Sequence, residues 1–249
     1  MPIIEISGLS HRFADGTPAL DHIDLSVGEG EFVVIAGANG CGKTTLLRHM
    51  NGLIRPQTGS VHVAGISVRK RAAAARQKVG MVFQEADSQI VGETVFDDVA
   101  FGPENLCLPR SEIESRVAEA LDTVQMSAFA DHRPHQLSGG EKRRVAIAGI
   151  LAMHSEILAL DEPFSNLDYP GVRQMLRQIV ALHNAGHTIL LATHDLSKVL
   201  AHADRLLVMA AGRIVRDGPP DTVVKGVDQY GVREPFASRQ GMALASWLS

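Results

Sequence analysis

The sequence predicts an α/β fold, on three observations. Five consecutive apolar residues, Phe32-Val33-Val34-Ile35-Ala36, lead into a glycine-rich stretch and then a helix-like segment from Thr44 to Met50. Two further short apolar runs, Ile157 to Leu160 and Thr188 to Ala192, are separated by a helical stretch from Gly171 to Asn184. Short apolar runs without alternation suit fully buried strands, and helical stretches between them suit an α/β core.

In chain order, the first elements alternate in character. Ile3, Ile4 and Ile6 begin one run, and Leu20, Ile23, Leu25 and Val27 make another. Gly28-Glu29-Gly30 is the turn into the buried strand. Gly59-Ser60-Val61-His62-Val63-Ala64-Gly65 reads as a strand bounded by glycines, and Val79 to Phe83 as another. The pattern then changes: Ser111 to Thr123 has apolar residues at 113, 117, 120, 121 and 124, a helical spacing, with Pro109 just ahead. Gly139 to Met153 is a second helix, and Gly186 ends the helix that starts at Gly171. Leu206 to Met209 and Gly212 to Val215 form a closing hairpin. The chain thus reads as an α/β core interrupted by a mostly helical insert over about residues 85–155, with a weakly patterned C-terminal extension at 226–249.

Composition excludes several function classes. The 249 residues are 45% hydrophobic and 21% charged, an ordinary globular balance that argues against disorder. Lys and Arg number 24 against 28 Asp and Glu, a net charge of −4, which argues against nucleic-acid binding and against a polybasic lipid contact. An aromatic content of 4% argues against a base-stacking platform. A membrane-spanning helix needs about 20 mostly apolar residues, and no run approaches that length. Met1-Pro2-Ile3-Ile4-Glu5 lacks the features of an export signal, and Cys41 and Cys107 make no disulfide framework, so a cytoplasmic protein is expected.

Gly37-Ala38-Asn39-Gly40-Cys41-Gly42-Lys43-Thr44 fits G-x-x-x-x-G-K-[ST] between a buried strand and a helix, the context this phosphate loop requires. Its glycines let backbone N–H groups converge on phosphate oxygens, and the helix N-terminus adds its positive dipole end. Lys43 is a cation for the β- and γ-phosphates, and the Thr44 hydroxyl can ligate Mg2+. Thr45 completes the loop residues expected at the nucleotide. By itself the loop defines a P-loop NTPase, with kinases, GTPases and motors all open. The run Ile157 to Leu160 ends in Asp161-Glu162. Successive side chains at a strand end point to different sides, so Asp161 can bind Mg2+ while Glu162 acts as general base on the attacking water. A solvated acidic turn is the bland alternative, which the phosphate loop disfavours. Leu137-Ser138-Gly139-Gly140-Glu141 opens a helix with Ser138 as cap, a second anion-binding N-terminus far in sequence from the first. One triphosphate in one chain has no evident need of two; a head-to-tail dimer does.

On these residues the sequence resembles the ATP-binding-cassette (ABC) ATPases, over nearly all of residues 3–220. Phe13 stands where that family has an aromatic that stacks on adenine. Gly37 to Thr44 match its Walker A loop, Gln84 its Q-loop glutamine and Leu137 to Gly140 its LSGG signature. Asp161 and Glu162 match its Walker B carboxylates, Ser165-Asn166-Leu167-Asp168 its D-loop and His194 its switch histidine. The resemblance implies an ABC ATPase domain at residues 1–225. Its P-loop NTPase (RecA-like) core spans about 1–84 and 156–225, with an N-terminal antiparallel β subdomain and an inserted α-helical signature subdomain. It also implies an ATP sandwich in which Ser138, Gly139, Gly140 and Glu141 of one chain cap the γ-phosphate held by Lys43 of the other. Glu162, His194, Lys43 and Gln84 would form the catalytic set, and Thr44, Gln84 and Asp161 would hold Mg2+. The family most often has Gln where Glu141 stands, and an acid at a helix N-terminus is electrostatically tolerated.

A narrower similarity covers Val79 to Gln89, Thr94 to Leu106, Val145 to Gly149 and Glu162-Pro163-Phe164, which are similar to the ATPase subunit of energy-coupling-factor importers, the cobalt-importer type in particular. That family usually has a proline near Ala86 and glycine at Cys107. The resemblance implies two ATPase subunits docked on a transmembrane scaffold protein that carries a substrate-binding membrane protein. The chain would sit peripherally on the cytoplasmic face of the cell membrane, with no lipid insertion and no nucleic acid, and power uptake of cobalt, another transition metal or a vitamin. A homodimer is the simpler arrangement, because this chain holds every residue of a competent site. Docking is expected in the groove beside Gln84, which includes Asp87 and Gln89, with carboxylates there receiving basic residues of the scaffold. One alternative is an importer of another cargo fed by a soluble binding protein; a second is a non-transport ABC ATPase in DNA repair or on the ribosome, disfavoured by a single cassette without heptads.

Other residues are read more plainly. His132-x-x-His135 and the i, i+4 pair His183 and His187 are taken as ordinary histidines, the second pair split by Gly186. Cys41 packs within the loop, where a bulky thiol reagent would block the site. Cys107 is expected in the core of the insert, and Trp247 at a dimer or subunit contact.

Overall fold

The structure, a computed structural model, describes residues 2–85 and 88–248. A first sheet contains β1 (Pro2–Arg12), β2 (Pro18–Gly28), β4 (Thr58–Val63) and β5 (Ile66–Ser67), antiparallel in the order β2-β1-β4-β5. A second contains β3 (Phe32–Ala36), β6 (Val79–Val82), β7 (Ile157–Asp161), β8 (Thr188–Thr193), β9 (Arg205–Ala210) and β10 (Arg213–Gly218). Its order is β10-β9-β3-β8-β7-β6, parallel except for the β9–β10 hairpin at one edge.

The larger sheet is covered on both faces, which is why its strands are unbroken apolar runs. Along β3, Phe32, Val34 and Ala36 face one core while Val33 and Ile35 face the other. On β8, Ile189 and Leu191 face the first while Leu190 and Ala192 face the second. The first core is closed by α6 (Tyr169–Asn184) and α5 (Gly139–Ala152). The second is closed by Leu46, Leu47 and Met50 of α1 (Lys43–Met50) and by Ile4, Ile6, Ile23 and Leu25 of the smaller sheet. The strand ends that carry the phosphate loop and the carboxylates are thus fixed between two packed layers.

Between β6 and β7 the chain leaves the sheet for α3 (Val95–Asn105), α4 (Arg110–Thr123) and α5. α4 buries Ile113, Val117, Ala120 and Leu121, the face its spacing predicts. Gly80 seats α5 against β6: a Cβ there would fall 2.0 Å from Cγ2 of Ile150. α3 begins in a reciprocal cap, the Thr94 hydroxyl accepting from the Asp97 N–H and the Asp97 carboxylate from the Thr94 N–H, each at 3.1 Å.

The structure departs from the sequence reading in several places and adds contacts to it in others. α2 (Ala72–Lys78) and α3 are helices that periodicity alone did not predict. α2 buries only Ala75, and α3 carries Gly102-Pro103, a pair that reads as a turn. The strand read to Phe83 ends at Val82, and α6 begins two residues before Gly171, because Asp168 caps it by accepting the Gly171 N–H at 2.9 Å. Cys107, expected in the core of the insert, is exposed in the turn after α3, at a φ of +55° that explains why glycine suits the position. Trp247 packs against Tyr169 of its own chain, ring centroids 5.4 Å apart. The C-terminal stretch folds back over the core, burying Val227 and Val232, and passes Ala38 of the phosphate loop at Gly231. His183, inside α6, is bound through Nε2 to the Gly30 carbonyl at 2.9 Å, while His187 lies beyond the helix end. Among the described residues no helix is long and apolar enough to cross a membrane.

Candidate active site

The loop from Gly37 to Gly42 joins β3 to α1. A side chain at Gly37 would meet Sγ of Cys41 at 2.4 Å and the Met209 carbonyl oxygen at 2.5 Å. Gly42, at φ +110°, passes the Ala19 carbonyl so closely that a Cβ would lie 2.6 Å from its oxygen. Close backbone packing on β2 and β9 therefore sets the loop's path, with Asn39 and Gly40 exposed at its tip. Lys43 is buried, its ammonium donating to the carbonyl oxygens of Gly37 (2.7 Å) and Ala38 (3.2 Å). The cation is held at the loop's centre, beside the free N–H groups of the α1 N-terminus, where phosphate oxygens can replace those carbonyls. Thr45, the third residue of α1, is buried.

The Thr44 hydroxyl donates to Oδ2 of Asp161 at 2.7 Å, tying the loop to the end of β7. Asp161 is 3% exposed, and burial pushes its carboxyl above the usual range, against the Thr44 hydrogen bond and the charge of Lys43. A hydroxyl and a carboxylate converging in a buried corner are oxygen donors of the kind a hard dication takes, and a dication there offsets the burial of the Asp161 charge.

Glu162 follows immediately in a different environment. Its backbone is left-handed at φ +49°, a strained position for a non-glycine residue. Its N–H donates to the Ala192 carbonyl at 2.9 Å, holding the turn against β8. Its carboxylate is gripped twice, by the Thr193 hydroxyl at 3.1 Å and by Nδ1 of His194 at 2.8 Å. Asp161 thus faces the phosphate loop while Glu162 faces the end of β8. The His194 side chain is half exposed, with Asp195 beside it bound to Ser197 and Lys198. Thr193 did not emerge from the sequence reading; a hydroxyl residue between an apolar strand and a histidine was its only signal.

Gln84 is exposed just beyond β6, and its carbonyl accepts from Nη2 of Arg143 on α5 at 3.2 Å, a second contact the sequence did not disclose. Gln89 lines the groove between β6 and the insert with its amide held: its oxygen accepts from the Phe83 N–H at 3.1 Å and its nitrogen donates to the Met81 carbonyl at 2.8 Å. Asp87 and Ala86 lie outside the described residues. Phe13 is 46% exposed and stands edge-on to His11, ring centroids 5.5 Å apart.

Ser138 caps α5 in a reciprocal box with Glu141, and its hydrogen bonds hold the Glu141 carboxyl below the usual range. A groove of 430 Å³ opens at this helix end, lined by Ser138, Gly139 and Gly140 together with Asn166, Leu167 and Asp168. No residue from 37 to 45 lines it. The structure gathers Lys43, Thr44, Asp161, Glu162 and His194 about the C-terminal ends of β3, β8 and β7, and keeps the signature turn in a groove with the D-loop.

A strand–loop–helix phosphate site, paired carboxylates two strands away in the sheet and a second capped helix on an insert define a P-loop ATPase of the cassette class. The family described as ABC transporter matches residues 20–165. The energy-coupling factor transporter ATP-binding protein EcfA of Methanocaldococcus jannaschii is 45% identical over 231 residues, spanning 92% of this chain and 83% of that one. The cobalt import ATP-binding protein CbiO of Rhodobacter capsulatus is 43% identical over 241 residues, spanning 94% and 86%. The solved structure of cbiO1 from Clostridium perfringens, part of the ABC transporter complex cbiONQ, superposes with a TM-score of 0.83 at 35% identity over 96% of this chain and 98% of that one. The chain belongs to the ABC transporter family, as an ATP-binding, ATP-hydrolysing subunit of the energy-coupling-factor type.

Proposed function

We propose that two copies of this chain close head to tail over two molecules of ATP, each with Mg2+, on the cytoplasmic face of a membrane. Closing and reopening drive a transmembrane scaffold and its substrate-binding partner, which import cobalt, another transition metal or a vitamin. One observation carries the reading. Glu162, tethered to Thr193 and His194, stands next to the Thr44–Asp161 pair, while the anion-binding end of α5 opens into a separate groove. That second site is of use only to a nucleotide held by another chain.

Each residue then has a task. Phe13 receives adenine, and the loop from Gly37 to Thr45 cradles the phosphates. Lys43 leaves the Gly37 and Ala38 carbonyls for the β- and γ-phosphates. Thr44 and Asp161, with Gln84, hold Mg2+, which supplies charge neutralisation at the phosphates. Glu162 takes the proton of the attacking water, and the Nδ1 contact of His194 to Glu162 leaves Nε2 for the γ-phosphate. Ser138, Gly139, Gly140 and Glu141 close the site from the partner. ATP drives closure only by the difference between its affinities for the closed and open pairs, and hydrolysis removes that difference.

The scaffold would meet the groove between β6 and the insert, where exposed Leu53, Val91 and Phe101 flank Arg76 and Asp98. An apolar groove with charges at its edge suits an amphipathic helix. The relative named for cobalt import supports the cargo class, and the cbiO1 complex supports a membrane assembly. The deciding experiment is size-exclusion of Glu162→Gln with Mg2+ and ATP: a dimer is expected with ATP and a monomer with ADP. A monomer at saturating ATP overturns the head-to-tail reading.

A further inference from the structure

Both donors that Ser138 would offer to a γ-phosphate are already occupied. Its hydroxyl donates to Oε2 of Glu141 at 2.7 Å, its backbone N–H donates to the same oxygen at 2.7 Å, and the Glu141 N–H returns to the Ser138 oxygen at 3.3 Å. The carboxylate therefore sits on the spot where an anion would be received. Arg144 stands 4.0 Å from its other oxygen, beyond hydrogen-bond distance, so its charge is only partly offset by that cation. A quarter of the Glu141 side chain remains exposed, in the groove that holds Ser138, Gly140 and Asn166.

We propose that Glu141 is a positioning residue that sets the ATP level at which two chains close, because its carboxylate must give up Ser138 and then remain beside the partner's γ-phosphate. The proposal rests on the head-to-tail reading above. The physical distinction is between cap and charge. Glutamine at this third helical position also caps a serine, but it is neutral. Two negative groups a few ångströms apart at a partly solvated interface repel enough to shift an association equilibrium by about tenfold. Glu141 thus raises the threshold for closure without entering the hydrolytic step, and it keeps the signature turn folded while no nucleotide is opposite.

The test uses the full chain in the Glu162→Gln background, where bound ATP is not consumed. An ATP titration followed by sedimentation velocity gives the midpoint of dimer formation. Glu141→Gln is expected to lower that midpoint about tenfold, and Glu141→Asp, which keeps the charge, to leave it within about twofold. Raising NaCl should narrow the gap between the Glu141 and Gln forms, since screening weakens repulsion but not a cap. An unchanged midpoint in Glu141→Gln, or a gap indifferent to salt, overturns the role of Glu141 and leaves the dimer reading standing. Failure of the Glu162→Gln parent to dimerise at any ATP level removes both.

Discussion

Asp161 and Glu162 are neighbours in sequence with opposite surroundings, and the difference is testable by titration. Burial holds the folded carboxyl of Asp161 above its ordinary 3.8, so its charge destabilises the nucleotide-free fold at neutral pH. For an acid raised on folding, the stabilising contribution is complete at low pH and is lost as pH rises through the folded value. Asp161→Asn should therefore melt a few degrees higher than the parent at pH 7, lose that advantage towards pH 4, and hydrolyse ATP at least about 100-fold more slowly. Differential scanning fluorimetry and phosphate release check the two halves, and an Asn variant that melts lower at pH 7 counts against the argument. The cysteines make a second pair of opposites. Burial pushes the Cys41 thiol up, while Cys107 is exposed. Because the thiolate is the reactive form, a maleimide at pH 7 should label Cys107 first, with little effect on ATPase rate, and Cys41 only slowly. Peptide mass spectrometry reads the order.

Among the elements, α1 carries a feature that the phosphate loop does not explain. His49 lies under it with no exposed surface, neither ring nitrogen has a hydrogen-bond partner of good geometry, and the His11 ring is 4.9 Å away. Burial pushes His49 down to about 4 from 6.5. A base depressed on folding gives its full stability above the unfolded value and loses it as pH falls towards the folded one, so the window is pH 6.5 to about 4. His49→Leu should gain about 1–2 kcal/mol relative to the parent on going from pH 7.5 to pH 5, as read from urea midpoints. A gain independent of pH would show that His49 is not the titrating group. The same elements show what a sequence can disclose. β3, β7 and β8 were legible because burial on both faces leaves an apolar run, and α4 because one face alone is buried. α3 was not, since its Gly102-Pro103 breaks the local signal and its start depends on a cap. The phosphate loop and the carboxylate pair are local patterns and could be read. The grip of Thr193 on Glu162, the hold of Arg143 on Gln84 and the left-handed turn at Glu162 arise only because β8 lies beside β7 and α5 packs on β6, facts of topology that no local spacing encodes.

For the whole molecule, the separation of the phosphate loop from the signature turn allows a complementation test of how complete one chain is. Lys43→Ala removes the phosphate cation but leaves the Ser138 end of α5 intact, whereas Ser138→Ala removes a cap and a donor but leaves the loop, Asp161 and Glu162 in place. Each variant alone forms only defective pairs, because in a symmetric head-to-tail dimer every site contains the lesion. Mixed in equal amounts, half of the pairs combine one of each, and in those pairs one site unites the intact loop of the Ser138→Ala chain with the intact signature of the Lys43→Ala chain. ATPase activity should then rise from near background to about a quarter of the wild type, one good site of two in half of the pairs. Adding Glu162→Gln to the Ser138→Ala chain should abolish the rescue, because the only competent site would lose its proposed base. Adding it to the Lys43→Ala chain should leave the rescue untouched, since that Glu162 belongs to the site already dead. The asymmetry between these two triple combinations assigns the base and the phosphate loop to one chain and the signature to the other. Equal effects of the two additions, or no rescue on mixing, would mean that the site is not shared between chains as proposed.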